Sequence, residues 1–248
     1  MASPLQQFEI ATIKPLTLGG IDVSFTNSSL WMVLALASIW IFMVGGMRRA
    51  AVVPGRWQAA VESIYQFIAG LAQENIGSKG KQYVPFLFSL FMFVLAANVL
   101  GMLPYSFTST SHIAVTAALA AVVFLAVIAI GLAKHGLHFF SLFWLKGSPA
   151  WMNIFLLVPI EIVSFLSRPL TLSIRLFANM TAGHVLLKVF AGFVISLGLA
   201  GGAISALSVL PLAMNVALTA LELMVAVMQA YVFALLTSIY LNDAVNLH

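Results

Sequence analysis

Charge is scarce in this sequence. Of 248 residues, eleven are Lys or Arg and seven are Asp or Glu, 7% in all. Soluble domains carry roughly a quarter charged residues, and a soluble globule cannot cover its surface with so few. Eleven basic residues also exclude most nucleic-acid binders, and no nucleic-acid partner is expected. Cysteine is absent, which excludes disulfides and thiolate metal sites and leaves the redox compartment open. The first 28 residues contain Glu9, Lys14, Asp22 and prolines in place of a basic start and an apolar core, so no cleaved signal peptide is expected. Metal-ligand spacing, a nucleophile arrangement and a phosphate loop are all missing, and no cofactor is expected. An internal repeat of the kind that marks many transporters is missing too. What the chain does hold is apolar surface: 62% of its residues are hydrophobic, with a mean hydropathy of +1.08. The expected fold class is an all-α polytopic membrane protein in a single membrane domain, 1–248. The net charge of +4 then reports membrane orientation rather than an acidic partner.

Residues 30–47 form the first apolar run, long enough to cross a hydrocarbon core of about 30 Å at about 1.5 Å per residue. Arg48, Arg49 and Arg56 follow it. Residues 57–76 mix Glu62, Gln66, Gln73 and Glu74 with apolar residues at helical spacing, the pattern of an amphipathic helix lying in the interface. A second span covers 86–103 and is ended by Pro104; a third covers 113–133. Basic residues gather after the first span, before the second (Lys79, Lys81) and after the third (Lys134, Lys146), while 104–112 carry none. The positive-inside rule therefore places the N-terminus and the 104–112 connection outside. From 151 to 197 runs one helical-looking stretch interrupted only by Pro159 and Pro169. At 1.5 Å per residue it would be about 70 Å long, over twice the core thickness. Gly198, Gly201 and Gly202 then signal a turn, and a second long stretch returns over 204–241. Length alone allows either four short spans or two very long, tilted helices, with Pro169 a break or a tolerated kink.

Each charge inside an apolar segment costs about 2.5–3.5 kcal/mol on the insertion scale. At 100° per residue, Glu161, Ser164, Arg168, Thr171 and Asn179 all fall within about 40° of Arg175, with Ser173 the exception. Such a stripe meets water, another polar helix or a charged partner. Arg175 could instead snorkel or pair with Glu161, but Glu161 lies about 21 Å away along the axis, too far for direct pairing. For Arg168, holding a helix end or a lipid phosphate competes with a functional role. The returning helix repeats the device: Asn215, Thr219, Gln229, Thr237 and Tyr240 fall within about −20° to +60° of Glu222, with Tyr231 and Ser238 opposite. Glu222 and Gln229 suit either proton exchange with water or a buried hydrogen-bonded pair gluing two helices. His184 sits on the face opposite Arg175, about 13 Å along the axis. It suits a proton relay, since its ordinary pKa is about 6.5, or plain packing. His112 follows a Ser/Thr-rich loop (Thr108, Ser109, Thr110, Ser111) and is read as a cap or loop contact. His135, His138 and His248 carry no particular signal. Proton-exchangeable groups at membrane depth around one fixed cation are the equipment of ion translocation.

These residues resemble subunit a of F-type ATP synthases. RPLTLSIRLFANMTAGH at 168–184 is similar to that family's signature. Glu222, Gln229 and the AYVFALL run that follows match its last helix, NVLGMLPY at 98–105 and HIAVT at 112–116 its middle portion, and SPLQQFE at 3–9 its N-terminus. The resemblance covers almost the whole chain. It implies about five membrane helices plus an interfacial amphipathic helix, the last two forming a long tilted hairpin against a ring of c subunits. The parts would be an outer N-terminal segment at 1–28, a first span at 29–47, the interfacial helix at 57–77, the second and third spans at 83–133, and the hairpin at 150–241. By the same resemblance, Arg175 would face the c-ring carboxylate with Gln229 near it. Asn179, His184 and Glu222 would match the half-channel open to the outside, and Glu161 that open to the inside. Arg168, Asn215 and Thr171 would support them. The histidine precedes the acid here, as expected of alphaproteobacterial and mitochondrial members.

The implied function is a proton-translocating stator subunit, not catalytic on its own. Its implied partners are the c-ring, the peripheral-stalk b subunits, the rest of the complex and membrane lipid. The implied location is a bacterial inner membrane, with the mitochondrial inner membrane as the alternative. Two rival classes are a proton-coupled secondary transporter, which should show repeats and a substrate cavity, and a membrane-insertion or assembly factor, which needs no fixed glutamine–arginine pair.

Overall fold

A computed structural model of the chain describes residues 10–15, 17–18, 21–22, 24–48, 50–103, 106–136, 138–139 and 153–246. The SPLQQFE match, Arg49, Pro104, Tyr105, Lys146, His248 and the start of the expected hairpin at 150–152 lie outside the described residues.

Helix α1 spans Asn27–Met47. Its start is held by Thr26, whose Oγ1 accepts from the Ser29 amide at 3.4 Å, and by Asn27, whose Oδ1 accepts from the amides of Ser28 and Ala11. Helix α2, Arg56–Ile76, buries one face, Gln58, Val61, Ile68, Leu71, Ala72 and Ile76, the spacing expected of an amphipathic helix. It approaches the end of α1 closely: a Cβ on Gly46 would come within 2.7 Å of Val61. The Trp57 indole donates to the Phe42 carbonyl at 3.0 Å. Gly77, at φ +80°, ends α2, and a 3-10 segment, Gly77–Tyr83, leads into helix α3, Val84–Gly101. Pro85 sits in the first turn of α3, where a missing N–H costs nothing. Helix α4 covers Ile113–His135, with Lys134 and His135 in its last turn, where cations suit the helix dipole.

After a π turn at Asn153–Leu157, helix α5 runs unbroken over Val158–Leu199, 42 residues with Pro169 inside. Pro159 lies in its first turn. Helix α6, Val209–Val245, has 37 residues. The four-short-span alternative is thereby excluded. Ile204, the expected start of the returning stretch, falls instead in a separate turn, Gly202–Ala206, entered through Gly201 and Gly202 at φ +71° and +61°. The helix then continues past Leu241 to Val245. Among the described residues, five helical runs are long and apolar enough to cross a membrane: Asn27–Met47, Arg56–Gly101, Ile113–His135, Phe155–Leu199 and Ile204–Val245.

Ahead of α1, the chain forms two small antiparallel ladders that the all-α expectation omits. Strand β1 (Thr12–Lys14) pairs with β4 (Phe25–Thr26), and β2 (Thr17–Leu18) with β3 (Ile21–Asp22).

The chain divides into two compact units, and both long helices contribute to each. The first unit comprises Met1–Ile39, Phe93–His112 and Leu176–Ala230; the second comprises Trp40–Met92, Ile113–Arg175 and Tyr231–His248.

Candidate functional site

In the first unit, Leu176, Met180, Ala226 and Ala230 are fully buried, and this packing brings polar groups of α5 and α6 together. Nδ1 of His184 lies 3.1 Å from Oε1 of Glu222. The approach is at ion-pair distance but off hydrogen-bond alignment, so neither carboxylate oxygen has a hydrogen-bond partner among the described residues. Glu222 is only 3% exposed and His184 8%. A buried carboxylate without hydrogen bonds is costly unless it is paired or protonated. Gly183 makes the approach possible: a Cβ there would stand 2.6 Å from Glu222 Oε1. One helical turn away, Asn179 Nδ2 donates to Gln229 Oε1 at 2.9 Å. Gln229 Nε2 is then buried without a partner among the described residues, as is Asn215 Oδ1.

The Ser/Thr loop closes this site from the side. Its 3-10 turn, Ser109–Ser111, is buried with Thr108. Thr108 Oγ1 lies 2.6 Å from His184 Nε2 and donates to the Gly101 carbonyl at 3.0 Å. Thr110 donates to Asn98 Oδ1 at 3.0 Å, and Asn98 Nδ2 donates to the Ala226 carbonyl at 3.3 Å. Thr181 donates to the Ser111 carbonyl at 3.4 Å. His112, read as a loop contact, stacks on Phe107 with ring centroids 5.0 Å apart. The sequence reading missed the contact of Thr108 with His184 and the bridging role of Asn98. The signal was four consecutive hydroxyl residues next to apolar spans, a density that exposed turns do not need.

In the second unit, Arg168 Nη1 pairs with Asp243 Oδ2 at 2.7 Å. Its guanidinium lies over the rings of Tyr240 and Phe165, at 5.0 and 5.6 Å. These contacts tie Arg168 to the last turn of α6. At a partly exposed site such a pair is worth about 1 kcal/mol or less. Asp243 was also missed. It stands in the last turn of α6, where a carboxylate opposes the helix dipole and requires a cation. Ser173, the exception to the α5 stripe, is buried and hydrogen-bonded to Thr116 at 3.1 Å. Thr171 donates to the Ser167 carbonyl of its own helix at 2.8 Å.

Glu161 is half-buried and Arg175 exposed, and neither has an ion pair or side-chain hydrogen bond among the described residues. Exposed apolar residues share the two long helices with them: Val163, Leu170 and Ile174 on α5, and Val216, Leu221, Met224 and Met228 on α6.

Fold and site together define a predominantly helical polytopic membrane protein with ionisable groups built into its longest helices. The family described as ATP synthase A chain matches residues 29–242. ATP synthase subunit a of Rhodospirillum rubrum is 51% identical over 248 residues, covering all of both chains. The subunit a of Mesorhizobium japonicum is 54% identical over 245 residues, 98% of this chain and 96% of its own. That of Parvibaculum lavamentivorans is 53% identical over 243 residues, 98% of this chain and 93% of its own. The chain belongs to the ATP synthase subunit a family, and the three relatives named are alphaproteobacterial. It is a bacterial membrane protein.

Proposed function

We propose that this chain is the stationary, proton-translocating subunit of the ATP synthase membrane sector, not catalytic by itself, and that it works against a ring of c subunits. The observation that carries the reading is Arg175, an exposed cation near the middle of an apolar 42-residue helix with no internal carboxylate among the described residues. Such a charge costs about 2.5–3.5 kcal/mol in hydrocarbon on the insertion scale, so it needs a partner that the described residues do not supply. A carboxylate on a passing c subunit supplies it. The relatives' name, ATP synthase subunit a, supports the same assembly.

In this reading His184, Glu222 and Asn179 line the half-channel open to the outside, and Glu161 belongs to the one open to the inside. Gln229 offers its free amide N–H groups near the exchange point, with Asn215 and Thr171 in support, while Arg168 holds the inner ends of the hairpin through Asp243. At about 1.5 Å per residue α5 is about 63 Å long, twice a hydrocarbon core of about 30 Å. Both long helices therefore lie strongly tilted and follow the ring. Peripheral-stalk b subunits hold the chain still against rotation. The membrane is the bacterial inner membrane, with the N-terminus outside and the C-terminus inside, as the basic loops require.

Capture of the tagged chain from membranes in mild detergent is expected to bring down a small c subunit in several copies together with a membrane-peripheral ATPase sector. Recovery of the chain alone, or with an unrelated substrate-binding protein, would reject the proposal. Cysteines placed near Thr108 and near Lys79 are expected to react with impermeant reagents from opposite sides; labelling from one side would overturn the orientation.

A further inference from the structure

We infer that Thr108 is a positioning residue that fixes the protonation form of His184 and so makes Nδ1, the nitrogen facing Glu222, the position of proton exchange. The functional part of the inference rests on the half-channel reading above; the tautomer part stands on geometry alone. A threonine hydroxyl has one hydrogen to give. Thr108 gives it to the Gly101 carbonyl 3.0 Å away, which can only accept and whose other lone pair takes the Ser106 hydroxyl at 2.6 Å. Toward His184 Nε2, 2.6 Å away, the hydroxyl is therefore an acceptor, and Nε2 carries the proton of that bond. A neutral imidazole with its hydrogen on Nε2 has its lone pair on Nδ1, 3.1 Å from Glu222 Oε1.

The hydroxyl has little freedom to do otherwise. Thr108 is 5% exposed, and its carbonyl accepts from the Ser111 hydroxyl at 2.6 Å. Its side chain is pressed against Gly101 so closely that a Cβ there would meet Thr108 Cγ2 at 2.7 Å and Oγ1 at 2.9 Å. The glycine admits the threonine, and the threonine then points at the ring.

The consequence is a one-sided relay. With Nε2–H held, His184 takes up or gives back a proton only at Nδ1. When the imidazolium releases that proton, Glu222 Oε1 binds it, and the pair passes from imidazolium and carboxylate to neutral imidazole and carboxylic acid with no other bond changed. The terminal torsion of a glutamate is broad, so rotation of the carboxyl group supplies the alignment that the static contact lacks. Without the hydroxyl, the Glu222 carboxylate would draw the imidazole hydrogen to Nδ1 permanently. The exchangeable nitrogen would then face the Thr108 side, away from Glu222.

The test is nitrogen-15 NMR of histidine-labelled complex in lipid, at a pH where the ring is neutral, with the His184 signal assigned by its loss in His184→Gln. In the unaltered complex the hydrogen is expected on Nε2. Thr108→Val keeps the shape but loses the acceptor and is expected to shift the tautomer ratio toward Nδ1–H by about fivefold or more, the weight of one hydrogen bond. ATP-driven proton pumping should slow by a similar factor. Thr108→Ser, which keeps the hydroxyl, should retain both the signal and the rate. A hydrogen on Nδ1 in the unaltered complex, or a Thr108→Val signal identical to it, overturns the inference. A shifted tautomer with undiminished pumping overturns the one-sided relay. Failure of the underlying half-channel reading shows elsewhere, as normal pumping by His184→Gln.

Discussion

Replacing Arg175 with alanine is expected to abolish coupled ATP synthesis and ATP-driven proton pumping while the assembled membrane sector still conducts protons. A guanidinium stays protonated at any relevant pH, so it does not relay protons itself. Its effect is on a neighbour: a partner carboxylate that approaches it is favoured in the ionised form. In the proposed reading, a c-subunit carboxylate arriving from one half-channel would give up its proton near Arg175 and regain one only from the other. The same fixed charge would repel a proton moving directly between the proposed half-channels. The exposure of Arg175, and the lack of an internal carboxylate for it among the described residues, fit a cation kept available for a passing partner. Lysine is expected to substitute poorly, because its charge is more strongly hydrated and it loses its proton when buried. Synthesis and ATP-driven pumping in vesicles with normal amounts of the chain are the check, and a drop of two orders of magnitude or more is the expected scale.

The second large effect is expected at the His184–Glu222 pair. Either His184→Ala or Glu222→Ala should cut proton-driven ATP synthesis at least tenfold, the lower end of what a positioned acid or base contributes being about a hundredfold. Each single change also leaves its partner buried and uncompensated, with Glu222 3% and His184 8% exposed, so some loss of assembled complex accompanies it. The exchange His184→Glu with Glu222→His separates the two effects. It restores a charge pair and a titratable site at the same place and should recover part of the synthesis. Recovery is expected to be partial, because Thr108 is set to accept from an imidazole N–H and a carboxylate at position 184 presents it with another acceptor. Synthesis rates for the two single changes and the exchange, measured in one vesicle preparation, check this. Normal rates in both single replacements would make the pair structural.

The parts of this site that follow helical periodicity were legible in the sequence. Glu222 and Gln229 share a face of α6 because seven residues make nearly two turns, and the polar stripe through Arg175 stands out because the rest of α5 is apolar. Periodicity also put His184 about 140° from Asn179 on an ideal helix, with no hint that both would reach α6. The reason is local: Gly183 has no side chain, and the Glu222 carboxyl group fills the space that one would take. The contact of Thr108 with His184 joins residues 76 apart through a loop, where no period applies. Asp243 lay past the expected end of the last helix, and its pairing with Arg168 accounts for a carboxylate there. The two long helices, against four short spans, depended on whether Pro169 breaks α5. It does not: the helix continues through it, as membrane helices tolerate proline where neighbouring groups take up the freed carbonyl.

Passive proton conduction is the property that most directly separates a coupling charge from a mere structural one. Vesicles stripped of the peripheral ATPase, carrying Arg175→Ala and energised by a potassium diffusion potential, would be compared with unaltered vesicles by the fluorescence of a pH-sensitive dye, the amount of the chain being checked by immunoblot. The account predicts proton flux equal to or greater than that of the unaltered sector, in vesicles that make no ATP once the peripheral sector is restored. Vesicles that contain the chain and are proton-tight, or that synthesise ATP at the unaltered rate, would contradict it.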